Sequence, residues 1–303
     1  MKIGYACINT SLDCRSSRTF RLKNYSQERL IETVKGNLEC LQKILRYNVA
    51  HQILFFRITS DLIPFASHSV MDYDWQEHFR STFHEIGSYI RQNNMRITMH
   101  PGQYTVLNSK SQRVYENSLR ELKYHVQVLD LLGLDKTAKV QTHVGGVYGQ
   151  KKQSKARFIE RYKGLSEEIK DRYMIENDEK SYNLQDCLDI HAETNAPIVL
   201  DVYHHECKNQ GESLPQAFNL FQKTWNKDDG LPIIHYSSMK KGGNPGNHAL
   251  TIDMEHFEQF LEQTKVFNFD MMMEIKDKEQ SAQKGIEHLK DDPRLNNDNH
   301  SFL

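Results

Sequence analysis

The run Ile198-Val199-Leu200-Asp201-Val202-Tyr203-His204-His205 decides how this chain is read. Three apolar residues follow Pro197, an acid interrupts them, and a histidine stands three positions beyond the acid. An ionised carboxylate in such company needs a positive partner to offset its desolvation. Two readings are open at this point. Asp201 and His204 grip one metal ion, or they cap the end of a strand.

Working outward, similar β-type runs alternate with helical patterns along all 303 residues, the mark of βαβ units. Strands are expected at residues 3–8, 53–58, 96–100, 139–143, 173–176, 198–202, 231–235 and 269–274. Apolar stripes at spacings of three and four lie between them. Ser26 precedes Leu30, Val34, Leu38, Leu41 and Leu45, and Asp74 with Glu77 forms a capping box before Phe79 and Phe83. Phe158, Tyr162, Leu165 and Ile169 read as one further helix, Ser181 opens the next, and Asp277 with Gln280 caps the last. Eight strand–helix repeats without a Pro/Gly-rich linker predict an α/β fold, a single (β/α)8 TIM barrel over residues 1–290. An open doubly wound sheet fits the repeat count less well. Residues 291–303 form a polar tail, expected to fray.

A net charge of −1 excludes a global positive field, so affinity for nucleic acid must come from local clusters. The five cysteines include no Cys-x-x-Cys pair, and no apolar run suits a leader or a membrane span. A reduced, soluble, cytoplasmic protein is expected.

In such barrels the chemistry sits where the strands end. Here those ends carry His100, His143, Glu176, Asp201 with His204, His235 and Glu274, while His68 and His248 lie in the loops after the second and seventh strands. One strand-end histidine is ordinarily a hydrogen-bonded structural residue. Several imidazoles and three carboxylates on one rim are different, because clustered carboxylates without a cation would raise one another's pKa and destabilise the fold. Imidazole and carboxylate without thiolate suit manganese, zinc or iron and argue against calcium or a cysteine-based zinc site. Roughly two or three ions fit, and a pair about 3.5–4 Å apart can clamp a phosphate, activate water and stabilise a leaving oxygen. His205 is expected to point away from the site.

The same rim is basic. Arg15, Arg18, Arg21 and Lys23 follow the first strand, Lys151, Lys152, Lys155 and Arg157 the fourth, and Lys240 and Lys241 the seventh. Any one run is ordinarily a solvated surface; three around an acidic pit suggest cations tracking a phosphodiester backbone. After His100, Pro101 and Gly102 force a turn that lifts Gln103 and Tyr104. An exposed tyrosine beside an amide can stack on a base or fill the gap left by an extruded one.

Tyr5 and Asn9, His100-Pro101-Gly102-Gln103-Tyr104, Thr142-His143-Val144-Gly145-Gly146, Ile175-Glu176-Asn177-Asp178, Leu200-Asp201 with His204-His205, Ile234-His235-Tyr236-Ser237-Ser238 and Met273-Glu274 with Lys276 occur in this order. Together they resemble the bacterial UV damage endonucleases, over nearly the whole chain. The resemblance implies a metal-dependent DNA repair nuclease that cuts immediately 5′ to a pyrimidine dimer or 6-4 photoproduct, leaving a 3′-hydroxyl and a 5′-phosphate. It implies manganese ions, with magnesium, zinc or cobalt as alternatives. Gln103 and Tyr104 would probe the strand opposite the lesion, with Tyr5 and Asn9 near the site. The related endonuclease IV carries an aspartate where this chain has Gly246, so one ion is expected to be held less firmly or by water.

Glu176, Glu274, His143 and His235 are therefore assigned to catalysis, with Asp201 and His204 beside them and His68, His100 and His248 on an outlying ion. Duplex DNA with UV lesions is the expected partner of a monomeric chain, with no membrane, no nucleotide cofactor and association with the nucleoid during action. The rivals are an abasic-site endonuclease, a metal-dependent sugar isomerase or epimerase on the same barrel, and a metal-stabilised binding module without catalysis.

Overall fold

The computed structural model describes residues 1–244 and 246–296. Strands β1 (Ile3–Ala6), β2 (Phe55–Ile58), β3 (Arg96–Met99), β4 (Lys139–His143), β5 (Tyr173–Glu176), β6 (Ile198–Asp201), β7 (Ile233–Tyr236) and β8 (Asp270–Met273) are all parallel and close in chain order, β8 pairing with β1. Around them run α1 (Gln27–Ala50), α2 (Trp75–His78), α3 (Arg80–Gln92), α4 (Gln112–Leu131), α5 (Lys151–Lys163) and α6 (Glu167–Arg172). After β5 come α7 (Leu184–Thr194), α8 (Val202–Cys207), α9 (Leu214–Phe221), α10 (Met254–Gln263), α11 (Glu279–His288) and α12 (Pro293–Asn296). This is the TIM barrel that the repeats predict.

Successive strand residues face opposite sides, so every second one enters the barrel. The inward residues form tiers. At the bottom Arg96 pairs with Asp270 at 2.9 Å and Lys139 with Asp229, a charged floor from which burial lowers the Lys139 pKa. Above it Phe55, Met174, Val199, Ile233 and Met272 make a small apolar plug with Ala6. Gly4 keeps β1 close to β2, since a Cβ there would sit 1.8 Å from the Phe55 carbonyl oxygen. The top tier is polar. Register pairs His143 with Glu176 and Asp201 with His235, so functional residues from neighbouring strands arrive at one height.

The structure differs from the sequence reading in several places. The helix expected through Phe158 and Ile169 is two, α5 and α6, interrupted at Gly164. Asn183, not Ser181, opens α7 in a capping box with Asp186. No Asp277–Gln280 box forms; Lys278 holds the N-cap of α11. The reduced-thiol expectation fails for Cys14 and Cys40, which form a disulfide tying the loop after β1 to α1. Fraying does not begin at residue 291: Arg294 pairs with Asp292 at 2.6 Å and donates to the Thr264 carbonyl at 3.0 Å. Residues 297–303 of the tail lie outside the described residues. Among the described residues no helix is long and apolar enough to cross a membrane.

Candidate metal centre

Asp201 ends β6 and also caps α8. Its Oδ1 accepts from the His204 backbone N–H at 2.7 Å, while the fully buried Oδ2 has no hydrogen-bond partner and lies 3.5 Å from His204 Nδ1. The short α8 sets neighbouring side chains about 100° apart. His204 therefore turns to the centre, and His205 turns away to Glu212, 3.8 Å off.

Glu176 lies at the middle. Three groups each gather potential ligand atoms within 4.8 Å: His100 with His143 and Glu176; Glu176 with Asp201 and His204; Glu176 with His235 and Glu274. Glu176 Oε2 is 3.4 Å from His100 Nε2 and 3.8 Å from His143 Nε2. Its Oε1 is 2.7 Å from His235 Nδ1, which also lies 3.3 Å from Glu274 and 3.9 Å from Asp201. Burial alone would raise the Glu176 carboxyl, yet His235, His143 and His100 outweigh it and hold it well below the usual range. Burial, together with Glu176 and Glu274, raises Asp201 against the pull of His204. Burial works against the His204 imidazolium too, but Asp201 and Glu176 overcome it and lift its pKa to about 9.

These residues fit divalent cations. The donors are oxygen and imidazole nitrogen, and buried atoms without partners (Asp201 Oδ2, His143 Nδ1 and His248 Nδ1) accompany them. Each carboxylate has more acceptor capacity than the protein satisfies.

Several predicted residues lie elsewhere. His68 is exposed in the loop after β2, its Nδ1 accepting from Val70 N at 3.0 Å, and it lines a separate cavity of about 550 Å³ with Ser67, Tyr104, Arg120 and Glu121. His100 joins His143, whereas His248 packs against His204 and Tyr203, so the outlying trio of His68, His100 and His248 does not form. Tyr5 is wholly buried outside the barrel wall, donating to Asn48 at 2.7 Å and accepting from Asn9 at 2.8 Å. It alternates with inward Gly4 and Ala6, so strand parity turns it toward α1 and away from the pit. Asn9 is buried beside it, its Oδ1 accepting from Ser11 and Leu12.

Gln103 is exposed, and Tyr104 is 65% exposed with its hydroxyl donating to Glu121 at 3.3 Å. Arg15, Arg18, Lys152, Lys240 and Lys241 are exposed on the same face. Lys151 instead pairs with Asp186, and Lys155 with Asp186 and Asp189, so part of the fourth-strand cluster is already neutralised.

Arg57, Gln141 and Glu179 join the site without having been singled out in the sequence. Arg57 is buried, donating to Glu274 at 2.6 Å and to His235 Nε2 at 2.7 Å. Gln141 donates to the same His235 nitrogen at 2.9 Å and to Glu176 at 3.2 Å. Both lie against Nε2, and Nδ1 faces the three carboxylates. A cation inside the Phe55-Phe56-Arg57-Ile58 strand is the same kind of signal as Asp201 in its own run. Glu179 lies 3.7 Å from His204, and a Cβ on Gly246 would sit 3.3 Å from its carboxylate. A glycine there leaves room for Glu179, which brings a carboxylate from another loop beside His204.

The chain matches the family model described as "UV-endonuclease UvdE" over residues 1–299. A UV DNA damage endonuclease of Clostridium perfringens is 41% identical over 293 residues, covering 96% of this chain and 71% of the relative. The solved structure described as "Crystal Structure of SacUVDE" is 42% identical, with a TM-score of 0.92 over 96% of this chain and 98% of that one. Endonuclease IV from Thermus thermophilus, at 14% identity, TM-score 0.57 and coverage of 83% and 93%, shares the fold.

Proposed function

The chain belongs to the UV-endonuclease UvdE family and is a DNA repair endonuclease, and from that premise we propose that it incises duplex DNA immediately 5′ to pyrimidine dimers and 6-4 photoproducts, leaving a 3′-hydroxyl and a 5′-phosphate. The observation that carries the site is the membership of Glu176 in all three donor groups. One buried carboxylate that bridges three ligand sets is the arrangement needed to hold adjacent divalent ions.

In this reading Glu176, Glu274, Asp201, His100, His143, His204 and His235 hold the ions, with His248 and Glu179 at the His204 end; manganese suits the donors, in two or three positions. When bound, the ions activate water and neutralise charge on the leaving 3′ oxygen. Arg57 and Gln141 orient His235 and the carboxylates through the contacts above. Gln103 and Tyr104, lifted beside His100, meet the duplex and test its stacking, while Arg15, Arg18, Lys152, Lys240 and Lys241 contact phosphates. Lesion choice follows from cost: a dimer already disturbs stacking and leaves the helix more cheaply than intact bases. This reading leaves His68 out of the ligand set, on the ground that it lines a different cavity.

Supercoiled plasmid, irradiated or not, incubated with manganese or with chelator, tests the reading. Nicking of irradiated plasmid alone, dependent on metal, is expected, and a duplex with one dimer should give a single cut on its 5′ side with a ligatable 3′-hydroxyl. Equal nicking of both plasmids, or cutting confined to abasic sites, overturns it.

A further inference from the structure

We propose that Lys278 is a phosphate-binding residue of the incision site, taking a non-bridging oxygen of the DNA backbone beside Glu274. The inference deepens the function proposed above and rests on its reading of this rim as a phosphodiester site.

Three observations lead there. First, Lys278 has φ 55° and ψ −116°, in the left-handed half of conformational space that a lysine rarely enters. Such strain in a residue with a Cβ concentrates at functional sites. Cys7, just past the end of β1, is also left-handed at φ 68°. Cys7 and Lys278 act on each other electrostatically, and both act on Arg57 and Glu274.

Second, the ammonium group is half-buried near Cys7, Glu274 and Arg57, and burial lowers its pKa while Cys7 and Glu274 work the other way. Among the described residues it makes no hydrogen bond or ion pair. The surrounding acids are already committed. Glu274 accepts from Arg57 at 2.6 Å. Glu279 is fully buried and accepts from the Thr10 N–H at 2.9 Å, the Thr10 hydroxyl at 2.6 Å and the Ser11 hydroxyl at 2.8 Å. Asp277 accepts from the Ser281 hydroxyl. Burial pushes the Cys7 thiol up, which leaves it neutral.

Third, the loop contacts fix the turn in which Lys278 sits. Glu279 pins the 9–11 segment over the start of α11, so the residue that precedes it is held between β8 and α11 with Glu274 and Arg57 as its charged neighbours. A half-buried cation without a protein anion suits a ligand that brings its own charge. The anion that a nuclease rim receives is a phosphodiester.

Lys278→Met, Lys278→Arg and Lys278→Gly in the metal-loaded protein test this. Glycine accepts the left-handed backbone without strain, so that variant folds even if others fail. Binding of undamaged duplex is measured across salt, and incision of a dimer-containing duplex is followed at fixed salt. Met and Gly should each flatten the slope of log affinity against log salt by about 0.9, one phosphate contact, and lower kcat/KM roughly tenfold; Arg should restore both. An unchanged slope in Met and Gly overturns the assignment and leaves Lys278 a helix cap. Failure of the lesion reading shows separately, as wild-type protein that does not prefer irradiated plasmid, since the salt slope needs only a duplex.

Discussion

Raising the pH of the metal-free protein should remove a proton from His204 and weaken the fold. The side chain is 9% exposed, so solvent screens it little. Its pKa is about 9 in the folded chain, against about 6.5 for the unfolded one. Between those values the folded state binds more protons than the unfolded state, so stability falls as pH rises. The stabilisation is complete below pH 6.5 and is lost as pH passes 9. A difference of about 2.5 units at about 1.4 kcal/mol each is worth about 3.5 kcal/mol. Urea midpoints of chelator-treated protein should therefore decline across this window, and those of His204→Gln should not.

The same proton opposes metal binding, because an imidazole ligates only when neutral. At pH 7 a group of pKa about 9 is neutral in roughly 1% of molecules. Affinity for the ion at the Asp201–His204 end should rise about twentyfold from pH 7 to pH 8.5. Calorimetric titration with manganese in two buffers of different ionisation enthalpy should count close to one proton released for that ion at pH 7. Two flat results, no release and no decline in urea midpoint, would refute the assignment of a protonated His204 coupled to Asp201 and Glu176.

Three further outcomes are expected. Glu176→Gln removes the carboxylate common to the three donor groups, so incision should fall to background while duplex binding stays measurable; retained cutting would exclude the site. Arg57→Met frees His235 Nε2 and Glu274, and metal affinity by competition with a chelating dye should drop about 10–100-fold. Unaltered affinity would make Arg57 a packing residue. Tyr104→Ala should narrow the preference for irradiated over intact duplex more than it changes salt-sensitive general binding, measured by fluorescence anisotropy on both; an equal loss on both would end the wedge assignment.

What the sequence makes legible follows from periodicity. A period of two, applied to eight runs, yields the barrel and places Glu176, Asp201 and His235 at one height, because strand register converts residue number into depth. The same parity, carried through, also finds Arg57 and Gln141 inside the barrel and turns Tyr5 out of it. All three placements are therefore within reach of the sequence, although Arg57 and Gln141 are neither acids nor histidines and Tyr5 stands in a motif that points to the site. Loops have no such ruler. His68 and His248 are equally plausible ligands on paper, and only the path of the chain sends one to a separate cavity and the other against His204. Glu179 reaching the space beside Gly246, the strained turn at Lys278 and the Cys14–Cys40 bridge each depend on distances across segments remote in sequence.

Asp201 is a cap and a candidate ligand at once. A carboxylate has two oxygens, each with its own lone pairs. The backbone N–H of His204 uses Oδ1 and fixes the side chain's rotation, which presents Oδ2 to the pit without a protein partner. The cap therefore orients the ligand. It also begins α8, and that turn is what delivers the His204 ring to the same place. Losing the cap should disturb two donors at once, so Asp201→Asn, which can still accept at Oδ1 but presents an NH2 in the place of Oδ2, separates the roles: helix and fold persist while metal affinity falls. If affinity survived that change, the unpartnered oxygen would have no bearing on the centre.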